Sequence, residues 1–143
     1  MKRVLILAQG KLKDRGLREL CSDYFQRCRR TLAVEEKEVR DLPALRRAVP
    51  ERCLLVVLDE RGKELASREF AALLGQWMEK PAAPVVFVIG GADGLDAELR
   101  ARADLLLAFG RMTFAHRLVR VMLAEQLYRA VSILEGAPYH REG

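Results

Sequence analysis

The sequence is poor in the residues that build metal centres, disulfide frameworks and membrane spans. It has three cysteines (Cys21, Cys28 and Cys53), two histidines and one tryptophan. Three cysteines with no C-x-x-C pair make no disulfide scaffold, and no Cys/His cluster has zinc-ligand spacing. The thiols read as reduced and the compartment as cytoplasmic. No apolar run approaches the roughly 18 residues of a membrane helix. The longest runs, 54–58 and 85–89, have strand length. Met1-Lys2-Arg3 followed by apolar residues 4–8 has the outline of a signal peptide, but the run stops at Gln9-Gly10-Lys11 without a small-residue cleavage site. Internal repeats, low-complexity tracts and long linkers are also missing.

What remains suits one domain over residues 1–143. Half of the 143 residues are hydrophobic, and a chain of this size buries about 68% of the surface its unfolded form exposes. Lys and Arg number 25 against 20 Asp and Glu, a net charge of +5. The bias points to acidic partners, nucleic acid first, although the two signs are interspersed.

Hydrophobic periodicity sets out the elements. A strand is expected over 3–8. Leu17, Leu20, Cys21, Tyr24, Phe25 and Cys28, spaced 3-1-3-1-3, mark one face of a helix. Alternation over 31–39 gives a second strand. A short helix is expected over 41–49, with Pro43 in its first turn. The continuous apolar run 53–59 gives a buried strand, after which Arg61-Gly62-Lys63 is expected to turn the chain. Ser67 is expected to cap a helix carrying Phe70, Leu73, Leu74, Trp77 and Met78. A strand over 85–89, a glycine loop over 90–94, a short helix from Asp96 to Ala103 and a strand over 105–109 follow. The last helix is expected over 116–134, with Val119, Met122, Leu123, Leu127, Val131 and Leu134 inward. Gly136 ends it and Pro138 prevents its resumption. Strands alternating with helices predict an α/β fold, a mostly parallel sheet flanked by helices.

In such sheets ligands gather beyond the carboxyl ends of the strands. Three of these ends carry glycine: 58–62, 89–95 and 109–114. The G-G-x-x-G spacing at Gly90 is neither a dinucleotide fingerprint nor a P-loop. It is either a tight turn or a backbone cradle for an adenosine-type cofactor. Cys21, Cys28, Phe70 and Trp77 read as core. Lys11, Lys13, Arg15, Arg18, Arg27, Arg29 and Arg30 form either a solvated face or a phosphate grip. On the last helix His116, Arg117, Arg120 and Arg129 read as a solvated face, with Glu125–Arg129 an i,i+4 ion pair of about 0.3–0.5 kcal/mol. The tail Tyr139-His140-Arg141 is either a terminus without a role or a group able to stack, move a proton and bind an anion.

Two long segments, VFVIGGADGL and LLLAFGRMTFAHRLVRVMLAEQLYRAVSILEGAPYHRE, closely resemble the RlmH family, small SPOUT-class methyltransferases that act on a pseudouridine of bacterial 23S rRNA. VLILAQGKLKD and LDERGKELAS fit as well, so the likeness spans nearly the whole chain. The resemblance implies a SPOUT-type fold with a C-terminal trefoil knot, an exception to ordinary chain topology. It implies S-adenosyl-L-methionine held by Leu58, Gly90, Phe109, Gly110, Arg111, Met112, Thr113 and Phe114, and a homodimer that completes the site across its interface. The implied reaction methylates N3 of a pseudouridine in 23S rRNA, on the assembled 70S ribosome, with no metal and no membrane. His140 then suits the base that removes the N3 proton. Arg141 suits charge on a ring carbonyl, Tyr139 stacking or hydrogen bonding to the base, and Arg120 RNA contact or closure of the site. Two other readings stay open: a non-catalytic RNA- or ribosome-binding module, and a SPOUT methyltransferase acting on tRNA.

Overall fold

The structure, a computed structural model, describes residues 2–80, 83–91 and 97–139. Strands and helices alternate: β1 (Lys2–Gln9), α1 (Arg15–Cys28), β2 (Leu32–Val39), α2 (Leu42–Ala48), β3 (Leu54–Glu64), α3 (Ser67–Met78), β4 (Val85–Ile89), α4 (Ala97–Arg102), β5 (Leu105–Ala108) and α5 (His116–Glu135). The strands form one parallel sheet in the order β2-β1-β4-β3-β5. The chain builds outward from β1 to β2 and then crosses to the other side for β3. β4 fills the gap, next to the point where the winding reverses.

Both faces of the central sheet are covered, so β1, β4 and the first half of β3 are apolar on both sides, whereas the edge strand β2 is mostly exposed. All five residues of β4 are buried. Val4, Ile6, Val56, Val85 and Phe87 face a core completed by Phe70, Leu74 and Trp77 of α3 and by Leu123 and Leu127 of α5. The alternate residues, Leu7, Leu55, Val57, Val86 and Val88, face Leu45 of α2 and Leu99 of α4. Cys21 and Cys28 are core, and burial pushes their thiols up to about 11 and about 12, so both stay protonated at neutral pH. No helix among the described residues is long and apolar enough to cross a membrane.

Local signals place most boundaries. Asp14 accepts a hydrogen bond from the Leu17 N–H at 2.9 Å and Asp41 one from the Ala44 N–H at 2.9 Å, starting α1 and α2. Gly136, at φ +70°, ends α5 in the left-handed conformation, with the Ala137 N–H bonded to the Ser132 carbonyl at 2.9 Å.

Three expectations need correction. The chain does not turn at Arg61-Gly62-Lys63: β3 runs on to Glu64, and Leu107 of β5 is matched first with Leu58 and again with Lys63. Residues 60–64 are mostly exposed and polar, so nothing in their hydropathy marks them as strand. The Cβ that Gly62 lacks would stand 2.7 Å from the Leu106 carbonyl carbon and oxygen, which shows how closely this segment crosses β5. Ser67 does not cap α3: Ala66 holds that position, the Glu69 carboxylate accepts from the Ala66 N–H at 2.8 Å, and the Ser67 hydroxyl bonds Gln126 of α5 at 2.8 Å. The buried stripe of α5 is also rotated. Leu134 is 43% exposed, whereas Arg120 is buried.

Arg120 is buried because two carboxylates meet it. Its Nη2 donates to Glu36 at 2.9 Å and its Nη1 to Glu38 at 2.5 Å, and Glu38 also accepts the Leu12 N–H at 2.7 Å. Burial by itself would raise the Glu38 carboxyl. The hydrogen bonds from Arg120 and Leu12 outweigh it and hold the group below its ordinary 4.5. A carboxyl depressed in the fold contributes stability above its unfolded pKa and loses it as pH falls through the folded value. Arg120→Met is therefore expected to cost about 3 kcal/mol at pH 7, the low end for breaking a buried pair because the glutamates keep some water contact. The gap from the wild type should narrow below about pH 4.5, as read by urea unfolding at a series of pH values.

Candidate active site

The middle of β3 and the carboxyl ends of β4 and β5 open onto a cleft of about 680 Å³, within the roughly 300–1,000 Å³ of sites for drug-sized ligands. Three segments wall it: 58–61 in the middle of β3, 89–91 at the end of β4, and 107–110 with 112–116 from the end of β5 to the start of α5; Val119 of α5 adds to the lining. Leu58, Ile89, Leu107, Phe109 and Phe114 give it an apolar lining, and Gly90, Gly91 and Gly110 bring bare backbone to its surface.

The walls are tied together by polar side chains. The Asp59 carboxylate, nearly buried at 9% exposure, accepts from Arg100 Nε at 2.6 Å and from the Arg61 N–H at 2.9 Å. Arg100 lies on α4, the helix after the glycine loop, so this pair joins the β3 wall to the element following the β4 wall. The Thr113 hydroxyl donates to Glu60, joining the β3 wall to the β5 wall. The Gly91 N–H donates to Gln9 Oε1 at 3.3 Å, fixing the end of β4 against β1.

Of the residues expected to hold a cofactor, Leu58, Gly90, Phe109, Gly110, Met112, Thr113 and Phe114 all line this one cleft. Arg111 lies in the same loop, exposed, and is not part of the lining. Arg120 faces away, engaged by Glu36 and Glu38. Tyr139 sits beside α1 and α5, its ring 4.6 Å from that of Tyr128. His140 and Arg141 lie outside the described residues. Asp59 and Glu60 also line the cleft and are not among the expected cofactor contacts, although both stand in the 58–62 segment. Their signal was present as an acidic pair directly after a buried apolar run, at a strand end already selected. Among the described residues no group of three His, Cys, Asp or Glu side chains is placed to hold a metal ion.

The basic N-terminal helix is only partly neutralised. Arg15 pairs with Glu19 at 3.0 Å and Arg27 with Asp23 at 3.2 Å, both exposed pairs. Lys11, Lys13, Arg18, Arg29 and Arg30 are exposed as well.

Comparison with known proteins gives a consistent answer. The family model described as "Predicted SPOUT methyltransferase" matches residues 1–140. A Paracoccus denitrificans protein named ribosomal RNA large subunit methyltransferase H is 49% identical, covering 98% of this chain and 99% of its own length. Proteins of that name from Rhodospirillum centenum and Bradyrhizobium diazoefficiens are 49% and 44% identical, each covering 97% of this chain and 99% of their own length. Among solved structures, a probable methylase family protein from Haemophilus influenzae Rd KW20 superimposes with a TM-score of 0.55 at 12% identity, over 96% of this chain and 69% of that one, a likeness of fold. The chain belongs to the SPOUT methyltransferase family.

Proposed function

We propose that the protein transfers a methyl group from S-adenosyl-L-methionine to N3 of a pseudouridine in 23S rRNA, acting as a cytoplasmic homodimer on the assembled 70S ribosome. One observation carries the reading furthest: seven residues marked as cofactor contacts by the resemblance line a single cleft of about 680 Å³ at the strand ends. The full-length curated relatives named as large-subunit ribosomal RNA methyltransferases support the RNA substrate.

The cleft fits the cofactor. Leu58, Ile89, Phe109 and Phe114 offer apolar surface to an adenosyl group. The backbone at Gly90, Gly91 and Gly110 can meet its polar edges without side-chain interference. When bound, S-adenosylmethionine supplies a methyl group on a sulfonium, which departs as a neutral thioether. The protein must hold the base in line and manage the N3 proton. His140 would take that proton, and Arg141 would balance negative charge on the adjacent carbonyl oxygen.

The placement of Tyr139 supports a site shared between two copies. Tyr128, on which Tyr139 packs, lies about 14 Å along α5 from Val119, the nearest cleft residue of that helix. His140 is the next residue, one Cα–Cα step of about 3.8 Å further on. A second copy's tail would supply the base, and Leu20, Leu118, Met112 and Phe114, all at least 37% exposed, offer apolar surface for pairing. The trefoil knot of the C-terminal half is proposed on family membership.

Arg100→Met tests the cleft. It removes the shorter of the two ion pairs of the Asp59 carboxylate, leaving Arg61 Nε at 3.8 Å, and loosens two walls together. The dissociation constant for S-adenosylmethionine is expected to rise about tenfold, equivalent to 1.4 kcal/mol, and Arg100→Lys should restore part of it. Calorimetry that detects no cofactor binding to the wild type would overturn the proposed function.

A further inference from the structure

We infer that Tyr139 is a positioning residue: its ring is anchored in its own chain, which aims the residues after it, and it does not stack on the target base. This rests on the reading that the tail serves methyl transfer. The ring packs 4.6 Å from the Tyr128 ring at an interplanar angle of 59°, the tilted geometry aromatic pairs favour. The Arg129 guanidinium lies 5.1 Å over the Tyr139 ring centroid. Arg129 is itself fixed, its Nε donating to both Glu125 oxygens at 2.9 and 3.1 Å, and both of these side chains are at most 20% exposed. The Tyr139 hydroxyl reaches the Tyr24 hydroxyl at 3.5 Å.

The approach to this anchor is also fixed. Gly136 reverses the chain, the Ala137 N–H bonds the Ser132 carbonyl, and the buried Ser132 hydroxyl donates to the Ala137 carbonyl at 3.2 Å. Tyr139 therefore arrives at Tyr128 along a set path. Burial, the Tyr24 hydroxyl and the Glu125 charge all raise the phenol above its ordinary range, so it stays protonated and is no base. An aromatic ring held on one side by Tyr128 and approached by Arg129 is committed within the protomer. The pocket of Tyr24, Tyr128 and Arg129 thus fixes where the short remainder of the chain begins.

The test compares Tyr139→Phe, Tyr139→Leu and Tyr128→Leu. Single-turnover methyl transfer to ribosomes is measured at saturating S-adenosylmethionine, with the cofactor dissociation constant and the rate of trypsin cleavage after Arg141. Tyr139→Phe keeps the ring and should keep the rate. Tyr139→Leu and Tyr128→Leu should each slow transfer by about 10²-fold, the cost of misplacing a reacting group, with cofactor affinity unchanged and cleavage faster. Because Tyr139 follows the end of α5, its leucine variant does not threaten the fold. If Tyr139→Phe is as slow as Tyr139→Leu, the phenol itself acts on substrate and the inference is wrong. It is equally wrong if Tyr128→Leu transfers methyl at the wild-type rate. Should the wild type transfer no methyl, the proposed function fails, while the trypsin rates still decide whether the anchor holds.

Discussion

A His140→Ala protein is expected to bind S-adenosylmethionine as the wild type does and to transfer methyl about 10²–10⁴-fold more slowly, the range that a positioned acid or base contributes. N3 of a uracil-type ring carries a proton and is a weak nucleophile until that proton is taken. Few residues here suit the task. The sequence has two histidines. His116 lines the cleft at the start of α5, and His140 stands in the tail beside Arg141. Cys21 and Cys28 are buried and protonated, and Tyr139 is held as a neutral phenol. The decisive comparison is single-turnover transfer in His140→Ala and His116→Ala, each at saturating cofactor. Loss confined to His140→Ala supports the tail as the source of the base. Loss confined to His116→Ala moves that role into the cleft wall. Mixing a His140→Ala chain with a chain disabled in the cleft adds a test of the shared site: recovered activity requires that one copy's tail serve the other's cleft.

Gly62→Ala is expected to have the largest effect on stability. The added Cβ meets backbone atoms, the Leu106 carbonyl carbon and oxygen at 2.7 Å and the Leu107 nitrogen at 2.8 Å. Such atoms cannot swing aside as a flexible side chain can. Either β5 or the 59–64 segment must shift, and both are tied into the sheet through Leu58, Lys63 and Glu64. Overpacking costs about 1–3 kcal/mol where side chains can give way, and a backbone clash belongs at or above the top of that range. Urea unfolding should therefore show a loss of about 3 kcal/mol or more, and cofactor binding should fall with it because Leu58, Asp59, Glu60 and Arg61 wall the cleft. A Gly62→Ala protein as stable as the wild type would mean that the 59–64 segment does not cross β5 as closely as described.

Much of this architecture is legible in the residues, for physical reasons that differ by element. β4 is buried on both faces, so its five apolar residues stand out and the strand falls at 85–89 as expected. α1 and α2 carry an aspartate cap at the point where their periodicity starts. Gly136 ends α5 because only a residue tolerant of φ +70° closes that turn readily. The failures are tertiary. Residues 60–64 are strand because β5 offers them a second pairing, a partnership invisible in their own polar sequence. Arg120 is buried because Glu36 and Glu38, far away along the chain, neutralise it. Ser67 is drawn to Gln126 on another helix, leaving Glu69 to stabilise the start of α3. The cleft's lining followed from strand ends and resemblance together, whereas the ties between its walls, Asp59 to Arg100 and Glu60 to Thr113, needed the fold.

The central claim is enzymatic, and one measurement addresses it most directly. Labelled methyl from S-adenosylmethionine is offered to 70S ribosomes, isolated 50S subunits and free 23S rRNA, all prepared without the modification, and the labelled nucleotide is then identified. The account predicts label in the 23S rRNA of the 70S particle, on N3 of a pseudouridine, with less or none in the smaller substrates, because the proposed function has this +5 chain draw most of its recognition surface from the assembled ribosome. Transfer should weaken as salt rises. Cofactor binding without label in any ribosomal sample, or label appearing on tRNA instead, would contradict it.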